Sequence, residues 1–117
     1  MFTPPFLDTN TKNSRLLERA GFIHAVLFEI EPKEVRAYRK DCKMWAGYAG
    51  KAKGFIRYMT VKRLDHKNEF ASVYEWKTKN FHDALMKKYH DWLVSKSKAK
   101  VKVLGYYNLK TVDEIIG

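Results

Sequence analysis

The sequence predicts an α+β fold, ferredoxin-like β-α-β-β-α-β with an antiparallel sheet. Three observations carry the prediction. Stretches 21–31, 55–64, 69–77 and 101–109 are rich in aromatic and β-branched residues, which suit a pleated surface. Two longer stretches between them repeat apolar residues at helical spacing. A polar break of hairpin-loop length, Asp65-His66-Lys67-Asn68, joins the second strand to the third. Strand, helix, strand, strand, helix, strand is the order of the split βαβ arrangement.

Each element has its own signal. In GFIHAVLFEIE (21–31), Phe22, His24, Val26, Phe28 and Ile30 face one way and Ile23, Ala25 and Leu27 the other. Glu31-Pro32 starts a helix, since proline suits the first helical position. Its buried stripe is Val35, Tyr38, Cys42, Trp45, Ala46 and Ala49, with Arg36, Arg39, Lys40 and Lys43 in water. In the second strand Phe55, Arg57, Met59, Val61 and Arg63 share one face, and Ile56, Tyr58, Thr60, Lys62 and Leu64 the other. In the third, Phe70, Ser72, Tyr74 and Trp76 alternate with Ala71, Val73 and Glu75. Thr78 or Asn80 caps the next helix, whose stripe is Phe81, Ala84, Leu85, Trp92 and Leu93, with His82, Lys87 and Asp91 off it. Ser95–Ala99 is a basic linker to a fourth strand, Val101–Leu109. Thr111-Val112-Asp113-Glu114 has the form of a capping box and predicts a short terminal helix.

The chain divides into an arm (1–20), one domain (21–110) and a tail (111–117). In the arm, Ser14–Ala20 predicts a helical turn, and Phe2, Phe6, Leu7, Leu16 and Leu17 give it an apolar set for packing. At 117 residues one domain buries a modest core, and oligomerisation is a common supplement. Both faces of the strands are too apolar for one to stay open, so a second copy packing sheet to sheet, a homodimer, is expected. The single cysteine, Cys42, excludes an internal disulfide framework and reads as a buried thiol in a reducing compartment. With no bilayer-length apolar run and no signal-peptide pattern, a cytoplasmic location off the membrane is expected.

The formal charge of +10 raises anionic partners. The lysines are spread over both helices and concentrate only at Lys96, Lys98, Lys100 and Lys102, which reads as a solvated edge guarding a strand. Lys53-Gly54-Phe55 begins like the RNA-recognition signature. Ile56 and Arg57 break the match, and the segment is the second strand where that signature belongs on the third. Nucleic acid is therefore not the partner this motif predicts.

The four histidines have no metal-ligand spacing. His82 and His90 fall on the same side of a helix but about 12 Å apart. His24, inside the first strand, reads either as a core histidine satisfied by one hydrogen bond or as a pocket base. His82 reads as a surface or capping residue, with a pocket role as the alternative. Phe28, Trp45, Tyr58, Tyr74, Trp76 and Tyr106 wall an aromatic cavity suited to a flat hydrophobic ligand, or are core and interface. The remaining carboxylate bases are Glu29 and Glu75. No phosphate-cradling glycine loop and no nucleophile elbow is present in the sequence.

Gly54-Phe55-Ile56 opening the second strand, Tyr74-Glu75-Trp76 ending the third, then Thr78, Phe81-His82 and His90 form a familiar set. Over roughly residues 21–110 the chain resembles the antibiotic biosynthesis monooxygenase (ABM) superfamily of dimeric α+β barrels. The resemblance implies a homodimer and a pocket between sheet and helices. It also implies an oxidoreductase of the cofactor-independent kind, acting on a small aromatic or quinol-like substrate, or a non-catalytic ligand-binding domain of the same fold. His24 and His82 would be its catalytic residues. No metal and no cofactor are expected. The haem-degrading branch uses an asparagine on the first strand and a helical tryptophan followed ten residues later by histidine. The first strand here lacks asparagine and Trp92 is followed by Lys102, so haem would need His82 or His90 in another way.

Overall fold

The computed structural model describes residues 20–117. The expected helical turn and apolar set of the arm lie outside the described residues, apart from Ala20. The elements run β1 (Phe22–Glu29), a 3-10 turn (Pro32–Glu34), α1 (Val35–Gly50), β2 (Phe55–Lys62), β3 (Glu69–Trp76), α2 (Lys79–Lys96) and β4 (Lys102–Lys110). The strands form one four-stranded sheet in the order β2-β3-β1-β4, and every pairing is antiparallel. This is the βαββαβ ferredoxin-like topology that the sequence predicts.

Alternation holds on β1 and β3. Phe22, Val26, Ser72 and Trp76 are all buried on the helix side. The hairpin between β2 and β3 turns at Asn68, whose φ of 64° is a left-handed conformation that asparagine tolerates.

Three expectations are corrected. The first concerns β2, where the register slips between Phe55 and Arg57, so Phe55 pairs with Trp76 and Arg57 with Glu75. This bulge spends Ile56 as an extra residue, and Phe55 joins the core of Phe22, Ala49, Trp76 and Leu85 and not the face of Arg57 and Met59. Secondly, α2 is rolled from the expected stripe. His82, Leu85 and Leu93 are buried, while Ala84 is exposed and Trp92 is 44% exposed. His82 is drawn in by aromatic neighbours, with its ring 5.2 Å from that of Phe22 and 6.0 Å from that of Trp76. Finally, the tail 111–117 forms no helix. Thr111 does not cap a helix: its hydroxyl donates to the Ala20 carbonyl and its N–H to that of Gly21, 3.3 Å away. Those bonds fasten the end of β4 to the start of β1.

The core is split. One cluster gathers Phe22, Ala49, Trp76 and Leu85, and the other Ile30, Tyr38 and Cys42. Between them, the sheet and the two helices leave a space. The far face of the sheet carries Ile23, Ala25, Leu27, Met59 and Val73, all only half-buried, with Tyr107 and Leu109 exposed.

Candidate functional site

The space between the two core clusters is a cavity of about 600 Å³. Its floor is the helix side of β1, β3 and β4, and its roof is α1 and α2. The floor supplies His24, Val26, Phe28, Ser72, Tyr74, Trp76, Val103 and Tyr106; the roof supplies Tyr38, Cys42, Trp45, His82, Met86 and His90. These side chains meet because strand alternation sends every second residue toward the helices.

Of the aromatic residues expected to wall a cavity, Phe28, Trp45, Tyr74, Trp76 and Tyr106 stand on this one. Tyr58 does not line it. Its ring packs 4.8 Å from that of Tyr74 and its hydroxyl donates to Ser72 Oγ at 3.3 Å, so it supports the wall from outside. The reason is its place on β2, the edge strand two positions away from β1.

Polar groups collect at two ends. At one, Tyr38 and Ser72 share a 2.6 Å hydrogen bond, with Cys42 Sγ 3.6 Å from the same serine oxygen. Burial pushes the Tyr38, Tyr58 and Tyr74 hydroxyls up, that of Tyr58 to about 12. These phenols stay neutral, and those of Tyr38 and Tyr58 are fixed by hydrogen bonds to Ser72. At the other end, the rings of His24 and His82 lie 4.6 Å apart, and Tyr106 lies 6.5 Å from His24.

The two histidines are held alike and exposed differently. His24 Nδ1–H donates to Asn108 Oδ1 at 2.8 Å, which leaves Nε2 as the lone-pair nitrogen. His82 Nδ1–H donates to Asp83 Oδ1 at 3.0 Å, but its Nε2 is sealed from solvent with no partner. Burial holds the His82 imidazole below its ordinary range, against the pull of Asp83, and the neighbouring His24 adds to the lowering. Lys79, donating at 2.8 Å, and then His82 hold the Asp83 carboxyl below the usual carboxylate range. At this end His24 is half-buried and lines the cavity, while the free nitrogen of His82 is sealed beside it.

That burial has a measurable consequence. The folded His82 resists protonation while the unfolded one does not, so the stabilisation is complete above pH ~6.5 and is lost as pH falls toward the depressed folded value. Denaturant midpoints should fall between pH 7.5 and pH 5, and His82→Gln should flatten that slope. A variant with the parent's slope would contradict the reading.

The other candidate bases lie elsewhere. Glu75 is on the far face, 2.8 Å from Arg57, and Glu29 faces Lys102 at 3.8 Å. His66 is in the hairpin turn, 3.2 Å from Glu69. His90 lines the cavity beside Trp45, with rings 5.9 Å apart, and Trp45 Nε1–H donates to Ser97 Oγ at 2.8 Å. Among the described residues no group of three or more His, Cys, Asp and Glu side chains is placed to hold a metal ion. Were a haem to enter this cavity, His24 and His90 would be the histidines to hold it, because the free nitrogen of His82 is closed off. No helix among the described residues is long and apolar enough to cross a membrane.

Sequence reasoning missed Asn108 and Asp41. Asn108 meets His24 only through the β1–β4 register, which pairs residues far apart in sequence. Asp41, to which the sequence assigns no role, accepts the backbone N–H groups of Lys98 and Ala99 on its carboxylate at 2.8–3.1 Å and so pins the segment after α2 over the cavity. A carboxylate following the basic helix face in sequence gave no signal for this.

No protein-family model matches the sequence, and no curated protein shows significant similarity to it. Solved structures do match. MhuD, in a mutant form with two manganese protoporphyrin IX molecules bound per active site, superposes with a TM-score of 0.66 at 12% identity, over 82% of this chain and 99% of that one. A Chloroflexus aurantiacus J-10-fl protein provisionally named an antibiotic biosynthesis monooxygenase gives 0.58 at 9% identity, over 80% and 95%. The heme-degrading protein Rv3592 of Mycobacterium tuberculosis gives 0.59 at 11% identity, over 80% and 96%. At these identities the likeness is one of fold.

Proposed function

We propose that this chain, which has the fold of the antibiotic biosynthesis monooxygenase-like structures, binds a small aromatic or quinol-like substrate in the cavity and oxygenates it with His24 as base. The observation that supports the reading is the cavity itself: apolar and aromatic walls with an oriented imidazole at one end. Such a site suits a flat ligand positioned by few polar groups.

The chemistry follows from those parts. His24 Nε2 takes a proton from an acidic phenol or from a CH₂ between aromatic rings. The apolar walls keep water from the carbanion, which gives its electrons to dioxygen. For the CH₂ case the balance is R₂CH₂ + O₂ → R₂C=O + H₂O. One oxygen atom enters the product, the other leaves as water, and the substrate supplies the electrons. Asn108 Oδ1, accepting from Nδ1–H, makes Nε2 the nitrogen that takes the proton and keeps the ring oriented once it is charged.

The test uses a tricyclic anthrone and an oxygen electrode. Uptake in the parent and a loss of roughly 10²–10⁴ in kcat for His24→Ala, with KM little changed, is expected. Binding without oxygen uptake would leave a ligand-binding domain and sink the oxygenase reading.

We further propose that the chain works as a homodimer closed over the far face of the sheet. Light scattering at micromolar concentration should give twice the chain mass. Val73→Lys, which puts a charge in the middle of that face, should give the monomer. A monomeric parent would refute the dimer.

A further inference from the structure

We propose that the outer groove between the end of α1 and the middle of α2 binds single-stranded nucleic acid. The groove is separate from the cavity. α2 turns His82, Met86 and His90 to the cavity, whereas Phe81, Ala84 and Lys88 line a groove of about 580 Å³ with Tyr48, Lys51 and Lys53. In the sequence these lysines are divided between the loop after α1 and the middle of α2. The fold brings them to one place.

Aromatic rings and ammonium groups gather here, and Trp92 with Lys96 extends the set beyond the groove's own lining. Tyr48 lies at the centre, with its ring 5.1 Å from that of Tyr89 and 5.2 Å from that of Trp92. Each ring carries its own lysine. Lys51 Nζ is 5.7 Å from the Tyr48 ring, Lys88 Nζ is 5.3 Å from Tyr89, and Lys96 Nζ is 5.7 Å from Trp92. Among the described residues no carboxylate lines the groove. Asp91, beside Trp92 in sequence, is engaged by His90 at 3.1 Å.

Lysines parked over rings are held without being neutralised, so their charge remains available to phosphate. Tyrosine and tryptophan faces take bases by stacking, whatever the base. Number favours a polymer: three ring–lysine pairs on one surface offer more contacts than one nucleotide presents. The net charge of +10 draws such a polyanion to the protein. The groove lies on the helices, so the proposal owes nothing to the failed RNA-recognition signature on the sheet, which would present bases to strands.

The test measures fluorescence anisotropy of a labelled twelve-nucleotide single strand on the full chain. Binding is expected at 50 mM salt, falling roughly twentyfold at 200 mM if about three phosphates are neutralised. Lys51→Glu with Lys88→Glu should weaken binding tenfold or more. Lys98→Glu with Lys100→Glu, the same charge change elsewhere, should weaken it less than threefold. Trp92→Ala should cost about tenfold through lost stacking. Circular dichroism confirms that each variant is folded. No binding at 50 mM salt would overturn the proposal. So would equal losses in the two charge variants, heparin binding that competes as well as the strand, or a free nucleotide that competes as strongly as the oligomer.

Discussion

Trp76→Ala is expected to lower the stability of the chain by about 3–5 kcal/mol, the cost of emptying a large aromatic site in a core. Trp76 is fully buried and is the largest such side chain among the described residues. It packs with Phe22, Ala49 and Leu85, with the Phe55 ring edge-on at 5.3 Å. Its backbone pairs with Phe22 on one side and Phe55 on the other. One side chain thus joins three strands to both helices. Thermal unfolding should show a midpoint lower by roughly 15 °C or more. Trp76→Phe gives the contrast. The indole N–H has no hydrogen-bond partner, so phenylalanine keeps much of the packing and removes an unsatisfied donor. Its cost should stay under about 1.5 kcal/mol. A Trp76→Ala variant within 1 kcal/mol of the parent would show that this cluster is not the anchor of the fold.

The second large effect is expected at Gly54. Its φ of 84° lies in the left-handed region, and a Cβ added there would meet the Phe81 ring at 2.2 Å. Its carbonyl also accepts the Lys77 N–H at 2.8 Å, which ties the start of β2 to the end of β3. Backbone strain and the collision together should make Gly54→Ala cost about 2–5 kcal/mol. Gly47, inside α1, is the control. A Cβ there meets nothing within 4 Å, so Gly47→Ala should stabilise the chain by about 0.5–1 kcal/mol. Denaturant unfolding of both variants checks the pair. Equal effects would mean that conformational entropy alone governs both sites and that the contact with Phe81 does not matter.

Much of the fold was legible in the residues, because strand alternation and helical periodicity are local. β1 and β3 could be read to within two residues at each end, and Glu31-Pro32 marked the 3-10 turn that leads into α1 at Val35. Local reading failed where an interaction from outside the element won. The Phe55 face was misassigned because a bulge is decided by the fit between two strands. His82 was misread as surface because its burial depends on Phe22 and Trp76, which the helix pattern does not contain. The terminal capping box stayed unused because Thr111 found acceptors at Ala20 and Gly21 first.

By itself, the sequence determined the order of the strands and helices, the apolar character of both sheet faces, and the presence of histidine and aromatic side chains on the residues that turn inward. These follow from spacing along the chain. Only the tertiary structure decided that the core divides around a cavity, that His24 is oriented by Asn108 while His82 is sealed, and that Lys51 and Lys88 share a groove with Tyr48 and Tyr89. The physical reason is the same in each case: these are contacts between residues distant in the chain, fixed by strand register and by the roll of each helix on the sheet, and neither is encoded within a single segment.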